Sequence, residues 1–595
     1  MTVVDFLQGV SAWFARIEGV GGERVCPRHH VEHTGKLVYA AAIDLALRRA
    51  QGSNAYDERI RRRALRTVSM VRTDPSTGSA VFFPGSLDPR NAATNLIDSG
   101  ACCDVLAQVV DEAAELFSDT ERASIRDAVT KVCSTYLAKA VLVKEVPAQR
   151  MWGATGLARA ARAFHDESFA AAACEAIARV RAQSQADGGI PYLPEPGKSR
   201  EHAGLADLSV FYHSRHAGFA FYVARMLRDS GAVLGPQLDA WLRASVDVLT
   251  ALYANDGVKP LAVEAKQWYW ESDYEVVSHS FDVHALIEAS LRYGDPRYAQ
   301  WAALAYRRLV EHVEPDGGVV SHRGRGINFQ CRDFWNGHVA WIARIHEHVP
   351  LDADPPAPIG IRAFPDSGLV RIETERYAAT IRGAKRPINI SFGGAVGGGT
   401  LVTFSRGVCG GDHARQPKWT TLAPGAIEVV GRGGPGLFAR ARAFVRDNAH
   451  DVKFRLYVAN IERKAGNLAF ACAYPFRHVL AKCLDELRAV HASHFDCAPE
   501  LTVEPGVVRV RARFCRRDGS ALHGCVLVRR YEVGADRLTV HDELRLDVAV
   551  SRVRFRLVTG ATLESVEGER SRRSGDVVTI RPAQTPSVIH VRWSL

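Results

Sequence analysis

Residues 283–318 carry Val283-His284-Ala285-Leu286-Ile287-Glu288-Ala289-Ser290-Leu291, a break at Arg292-Tyr293-Gly294-Asp295-Pro296, an apolar-rich run from Tyr298 to His312, and a closing Glu314-Pro315-Asp316-Gly317-Gly318. Apolar side chains recur at helical spacing on both sides of the Gly-Asp-Pro break, so this stretch predicts two helices joined by a tight turn. Punctuation of the same kind returns at Gln185-Ala186-Asp187-Gly188-Gly189 and Asn255-Asp256-Gly257. Further runs with helical spacing occupy 37–49, 101–116, 125–142, 156–164, 170–182, 219–227, 238–252 and 339–346. Recurrence every several tens of residues implies stacked helical hairpins, and about ten to twelve helices favour closure into an α/α toroid over an open superhelix.

The pattern changes after Val349-Pro350-Leu351-Asp352-Ala353-Asp354-Pro355-Pro356-Ala357-Pro358, whose composition is that of a linker. Beyond it apolar residues alternate with Arg or polar ones, as in Leu369-Val370-Arg371-Ile372-Glu373-Thr374, 507–514 and 553–557. A period of two with Gly-rich connections such as 393–399 predicts a large antiparallel β-sandwich. The expected architecture is multidomain α+β: an N-terminal (α/α) toroid over 1–348, a linker over 349–360, and an antiparallel β-sandwich over 361–595.

At 595 residues the chain exceeds one hydrophobic core. Its net charge of +10 is unevenly placed: residues 351–595 hold 37 basic and 25 acidic side chains, against 39 and 41 in residues 1–350. Such a surface attracts acidic polymers. No zinc-finger spacing, RNA-binding signature or lysine-rich tail points to nucleic acid. The sequence lacks an apolar run long enough to span a membrane. Met1-Thr2-Val3-Val4-Asp5-Phe6 has neither the basic nor the long apolar region of a secretion signal, which leads to the expectation of a cytoplasmic protein. Twelve cysteines without CxxC pairs read as reduced, mostly buried thiols. Walker, dinucleotide-binding, HExxH and GxSxG motifs are absent. Nothing in the sequence sets an oligomeric state.

The run Asp207-Leu208-Ser209-Val210-Phe211-Tyr212-His213-Ser214-Arg215-His216-Ala217-Gly218 holds a phenol and two imidazoles at the start of a long apolar helix. In a helix Tyr212 and His216 share a face, with His213 beside them. Phenol and imidazole together can move protons near neutral pH, which suits an enzyme acting on sugar polymers. Around it stand candidate subsite residues. Asn91, Asn95 and Asp98 share a helical face, and Asn95 is suited to neutralise a carboxylate. Trp152 can floor a subsite. Glu271 lies among Gln267-Trp268-Tyr269-Trp270-Glu271-Ser272-Asp273-Tyr274, where rings stack on pyranose faces, and His279 follows. Arg325, Asn336 and His338 come from the polar, Gly-rich stretch 322–338.

An α/α toroid joined to a β-sandwich, with this Tyr-His run, resembles the heparinase II/III-like and alginate-lyase-like polysaccharide lyases. Their Asp-Gly-Ser and Tyr-His signature is matched by Asp207-Leu208-Ser209 and Tyr212-His213, with Leu in the place of Gly; Ala363-Phe364-Pro365-Asp366-Ser367-Gly368 resembles the opening of their sandwich. The resemblance implies β-elimination on an acidic, uronate-containing polysaccharide or oligosaccharide. Tyr212, His213 or His216 would be the acid/base group, and Asn95, Trp152, Asp207, Glu271, His279, Arg325, Asn336 and His338 would bind substrate. No cofactor is required by this reading. A structural divalent metal on Asp412, His413, His491 and His494, or on His29, His30, Glu32 and His33, is open to the residue types but unsupported by ligand spacing. Three alternatives stay open: a glycoside hydrolase using a carboxylate pair among Asp207, Glu271, Asp273, Asp282 and Asp333, an intracellular uronyl C5-epimerase, and a carbohydrate-binding scaffold.

Overall fold

The structure, a computed structural model, describes residues 1–23, 34–82, 92–192, 208–260, 274–320, 332–352, 356–383, 397–406, 412–413, 425–431, 466–476, 491–493, 499–516, 521–567 and 570–595, with isolated positions between 438 and 496. The chain divides into two compact units, one of Met1–Ser184, Phe211–Thr250 and Val276–Pro356, the other of Gln185–Val210, Ala251–Glu275 and Ala357–Leu595. The division at 356–357 falls within the linker composition, and two segments embedded in the helical stretch belong to the second unit.

The first unit is an α/α toroid built from α1 (Val3–Ile17), α2 (Thr34–Gln51), α3 (Asp57–Val68), α4 (Ala92–Glu112), α5 (Asp119–Val132), α6 (Ala138–Val143), α7 (Pro147–Phe164), α8 (Glu167–Gln183), α9 (Val210–Asp229), α10 (Pro236–Ala251), α11 (His279–Tyr293), α12 (Pro296–Val310), α13 (Arg332–His338) and α14 (Ala340–Ala343). Two helix types alternate. α3, α5 and α8 bury a single stripe, such as Phe169, Ala173, Ile177 and Val180 of α8, and form the outer layer. α7 and α11 are buried on every side, α11 without a break from His279 to Ala289, and belong to the inner ring with α2, α4, α9 and α13–α14. Each inner helix returns through an outer one, so the inner helices run parallel and their N-termini gather at one end of the ring. Closure is visible where the Tyr39 ring of α2 meets Trp341 of α14 at 6.4 Å and where the Tyr306 hydroxyl of α12 donates to the Thr2 carbonyl ahead of α1 at 3.1 Å.

The punctuation read in the sequence is physical. Gly294 ends α11 at φ 65°, Asp295 accepts from the Arg297 amide as N-cap of α12, and Pro296 occupies the first turn, so Gly-Asp-Pro stops one helix and starts the next. The three Asp-Gly turns share one construction: Gln185, Ala254 and Glu314 donate to the carbonyls of Gly189, Val258 and Gly318 at 2.8, 2.8 and 3.0 Å. In each, the turn Asp accepts from the backbone two residues on, and Gly188, Gly257 and Gly317 take φ of 93°, 78° and 79°, a region open chiefly to glycine.

α4 and α7 approach closely through Gly100, Gly153 and Gly156. A methyl on Gly156 would lie 2.7 Å from the Gly100 carbonyl oxygen, and one on Gly100 would collide with the Trp152 carbonyl. Gly100→Ala is expected to lower the unfolding free energy by about 2–3 kcal/mol. Gly235→Ala, where the added atom meets nothing within 4 Å, should stay within about 0.5 kcal/mol; equilibrium denaturation compares the two.

Within the toroid unit a short hairpin pairs β1 (Val71–Thr73) with β2 (Ala80–Phe82). The second unit contains the hairpin β3 (Lys259–Pro260) and β4 (Tyr274–Glu275), and two antiparallel sheets. One follows the order β5 (Gly360–Phe364), β6 (Leu369–Glu373), β7 (Tyr377–Arg382), β8 (Thr400–Arg406), β9 (Asp412–His413). The other comprises β10 (Ile427–Gly431), β11 (His491–Ser493), β12 (Glu500–Glu504), β13 (Val507–Arg516), β14 (Ala521–Val533), β15 (Leu538–Leu546), β16 (Val550–Arg556), β17 (Thr562–Glu567), β18 (Arg570–Ser574), β19 (Val577–Arg581) and β20 (Ser587–Ser594), in the order β17-β20-β15-β14-β13-β11-β10-β16-β19-β18 with β12 beside β13. Val370, Ile372, Tyr377 and Ile381 of the first sheet share one core with Val508, Leu527, Val540, Phe555 and Trp593 of the second, a sandwich.

The alternation at 369–374 predicted one face on solvent. Instead β6 is buried at every position. Arg371 donates to the Tyr253 carbonyl at 2.7 Å and to Asn255 Oδ1 at 2.8 Å, and the Ser367 hydroxyl lies 2.7 Å from Asp187 Oδ1. Tyr253 and Asn255 thus cover Arg371 of this sheet, and Asp187 holds the turn ahead of β6.

Candidate active site

Of the residues singled out by the sequence, Asn95 lies in the first turn of α4, Trp152 in the second turn of α7, Tyr212, His213 and His216 in the first two turns of α9 and His279 at the first position of α11, whereas Asn336 and His338 lie in the last turn of α13. Asp207, Glu271 and Arg325 lie outside the described residues, as do Asn91, Trp268, Trp270, Asp273, residues 29–33 and His494, and the side chains of Asp412, His413 and His491.

The first turns of α9 and α11 are pinned together. The Ser278 hydroxyl donates to the Phe211 carbonyl at 3.2 Å, and Gly218 admits Phe281, whose carbonyl oxygen would lie 3.0 Å from an added methyl. From there the contacts run unbroken. The buried Arg215 guanidinium lies 3.4 Å over the Phe211 ring, 5.5 Å from Phe281 and 6.0 Å from Tyr212. Phe281 is 4.8 Å from the His338 ring, and His338 is 5.7 Å from Trp152. Asn95 precedes Leu96, whose side chain packs where Gly153 leaves room. Its buried Oδ1 has no hydrogen-bond partner among the described residues. Asn95, Trp152, Tyr212 and His338 are therefore brought to one end of the ring, and Arg215 joins them as a cation that the sequence reading passed over.

The three candidates on α9 do not share one environment. Tyr212 is half-buried and retains access to solvent, whereas His213 and His216 are fully buried. His213 Nε2 is 2.9 Å from the Ser245 carbonyl on α10; a carbonyl only accepts, so that nitrogen carries the hydrogen. Neither ring nitrogen of His216 has a hydrogen-bond partner among the described residues. Burial, reinforced by His213 and the Arg150 guanidinium, pushes its imidazole well below the usual range. His279 Nδ1 lies 3.8 Å from Asp282 Oδ2, both fully buried. Asn336, expected at a subsite, has its amide engaged by backbone: Oδ1 accepts from Val319 at 2.8 Å and Nδ2 donates to the Arg332 carbonyl at 2.8 Å.

Beneath lies a polar layer that the sequence reading missed. Tyr222 and Arg344 both reach Asp104, at 2.5 Å each, and the Arg344 guanidinium sits 4.4 Å over the rings of Tyr222 and Trp341. Trp152 Nε1 donates to the Tyr39 hydroxyl at 3.0 Å. Burial, together with Asp104, holds the Tyr39 and Tyr222 phenols above their usual range, so both remain protonated props rather than bases. The available signal was Asp104 itself, a lone carboxylate in Ala101-Cys102-Cys103-Asp104-Val105-Leu106.

The neutral His216 makes stability pH-dependent with a definite sign. The unfolded imidazole takes its proton near pH 6.5 and the folded one resists it, so the unfolded state binds more protons on the acid side. Stability is whole above about pH 6.5 and falls as the pH drops below it, by up to about 1.4 kcal/mol per unit. His284, its imidazole likewise pushed well below the usual range by burial and by Arg225 and Arg344, adds a second such contribution. His216→Asn should make the loss in unfolding free energy between pH 6.5 and 5.5 smaller by about 1 kcal/mol, measured in urea.

The fold is a known one, an α/α toroid with an antiparallel β-sandwich, also found in a solved chondroitin AC lyase. The chain is similar to the chondroitin AC lyase of Streptomyces coelicolor A3 solved with chondroitin sulphate, at 12% identity over 99% of this chain and 78% of that one, with a TM-score of 0.50. A mutant of the same enzyme aligns at 11% identity over 100% of this chain and 76% of that one, TM-score 0.50. A heparinase III aligns at 10% identity over 94% and 76%, TM-score 0.48. No protein-family model and no curated protein matches the chain. At these identities the likeness speaks for the fold. Among the described residues no helix is long and apolar enough to cross a membrane.

Proposed function

We propose that the chain is a carbon–oxygen lyase that cleaves an acidic, uronate-containing polysaccharide by β-elimination, with Tyr212 moving the protons. The observation that carries this reading is the contrast within α9: the phenol alone keeps access to solvent, beside the Arg215 guanidinium, while both imidazoles are buried. In the proposed reaction a base takes the proton from C5, its electron pair forms the C4–C5 double bond, and the C4–oxygen bond breaks with protonation of the leaving oxygen. Charge builds on the uronate carboxylate as the C5 proton leaves, so fixed donors there contribute most to lowering the barrier. Asn95 and Arg215 are assigned that role, and Trp152 and His338, both buried, pack beneath them as the support of the subsite.

Arg215→Met should lower kcat/KM on a uronate polymer about 10²- to 10³-fold. Arg215→Lys should recover little of it, because an ammonium lacks the planar fork that matches a carboxylate.

The test of the reaction class is mass spectrometry of products from a panel of uronate-containing and neutral polysaccharides. Fragments one water lighter than hydrolysis products, with new ultraviolet absorbance, are expected. Hydrated fragments would overturn elimination and place catalysis on a carboxylate pair, for which the buried Asp282 and Asp333 are the described candidates. An uncut polymer that exchanges its C5 hydrogen in D₂O would instead mark an epimerase.

A further inference from the structure

The last three strands on one side of the larger sheet carry an arrangement that stability alone does not account for. Arg581 of β19 stands directly opposite Arg570 of β18, and continuing the β16–β19 register by one residue sets Arg552 against Arg581. In the adjoining row Arg554 and Arg572 flank Thr579. All five share the face opposite to buried Val553, Phe555, Val578 and Ile580. Arg554 lies 3.7 Å from Glu428. Arg552, Arg570, Arg572 and Arg581 are exposed, and among the described residues none has an ion-pair or hydrogen-bond partner.

Like charges set directly across a sheet are destabilising. Charge on a terminal strand blocks edge-to-edge pairing, which accounts for β18 as the end of the sheet. It does not account for Arg581 and Arg552 on the two strands further in. Neighbouring strands lie about 4.8 Å apart, on the scale of one pyranose in an extended chain, and each guanidinium offers a fork that fits carboxylate or sulfate. The outward residues of these strands include no ring on which a nucleic-acid base could stack.

We infer that this arginine ladder on β16, β19 and β18 is a second binding site for a linear polyanion, an acidic polysaccharide, on the sandwich unit. The ligand class rests on the lyase reading; the site itself rests on the ladder.

The test uses the full chain carrying Tyr212→Phe, so that polymers stay whole, with and without Arg552→Ser/Arg570→Ser/Arg581→Ser. Binding of polygalacturonate, chondroitin sulphate, dextran and an oligo-dT is titrated across a salt series. The expected result is at least tenfold weaker binding of an acidic polysaccharide at low salt in the triple variant, and a log–log salt dependence shallower by about two to three. Dextran should bind neither chain, and the melting temperature should not fall. Arg581→Glu alone should act in the same direction, which guards against a misfolded triple variant. No polymer binding by the parent, equal binding by parent and triple variant, or tighter binding of oligo-dT than of both acidic polysaccharides would overturn the inference. Because the readout is binding, failure of the elimination chemistry does not mimic failure of the site: a chain that eliminates but ignores the arginine changes refutes the ladder alone.

Discussion

Tyr212→Phe is expected to lower kcat on a susceptible uronate polymer about a thousandfold, within the range that a positioned acid or base contributes, with KM changed by less than about threefold. The substitution keeps the ring that packs edge-on against Phe211 at 5.1 Å and removes only the hydroxyl, so binding should survive while proton transfer fails. Stability supplies the control: Tyr212 is half-buried at the start of α9, and its loss of a hydroxyl should shift unfolding by about 1 kcal/mol or less. His213→Gln makes the contrast. Its amide can still reach the Ser245 carbonyl, so turnover should fall far less than with Tyr212→Phe. If the two variants fall equally, or if Tyr212→Phe turns over normally, the assignment of the proton to the phenol is wrong.

The largest expected change in stability lies in the sandwich. Arg529 and Asp542 form a two-pronged ion pair at 2.6 and 3.0 Å with neither side chain exposed. The remaining capacity of both is taken up: Arg529 donates to the Gly425 carbonyl at 3.0 Å, and Trp593 Nε1 donates to Asp542 at 3.0 Å. Arg529→Met would leave Asp542 charged, buried and short of its counter-ion, which costs about 3–5 kcal/mol. Replacing both partners by leucine removes the stranded charge and should be less damaging than Arg529→Met alone. Denaturant titrations of the two variants check this. A double variant that is the less stable would mean that the carbonyl and indole hydrogen bonds, not the charge pair, dominate.

Helix existence and order were legible in the sequence; helix beginnings were legible in part, since His279 does open α11 and the Tyr212 run does open α9, but the periodic runs themselves start late. Runs of helical spacing placed starts at 156, 219 and 283, whereas α7, α9 and α11 begin at Pro147, Val210 and His279. The missing turns hold Trp152, Tyr212, His216 and His279. Their helices are buried on all sides, so no polar stripe alternates with an apolar one to reveal the period. The same turns carry the candidate chemistry, so the site was visible as residue types and hidden as geometry. Strands show a parallel split. In β13 the alternation of Arg509, Arg511 and Arg513 with Val508, Val510 and Ala512 matches exposure residue for residue. In β6 it does not, because Arg371 is covered by Tyr253 and Asn255 from a segment more than a hundred residues away. Alternation reports the two faces of a strand and is silent on what later covers them. Arg215 and Asn336 fall under the same limit: composition marks a polar residue, and only the fold shows whether backbone already occupies it.

The parallel course of the inner helices has an electrical consequence. Each α-helix ends at its N-terminus in unsatisfied amides equivalent to about half a positive elementary charge, and in this ring those ends all face the same way. Near the ring axis their fields add without help from any side chain, and the C-terminal ends of the returning outer helices, set at a larger radius, offset them only in part. That bias cannot be titrated away near neutral pH and cannot be mutated away one residue at a time. A preference for anions at this end of the toroid is thus a property of backbone direction, and the side chains decide which anion.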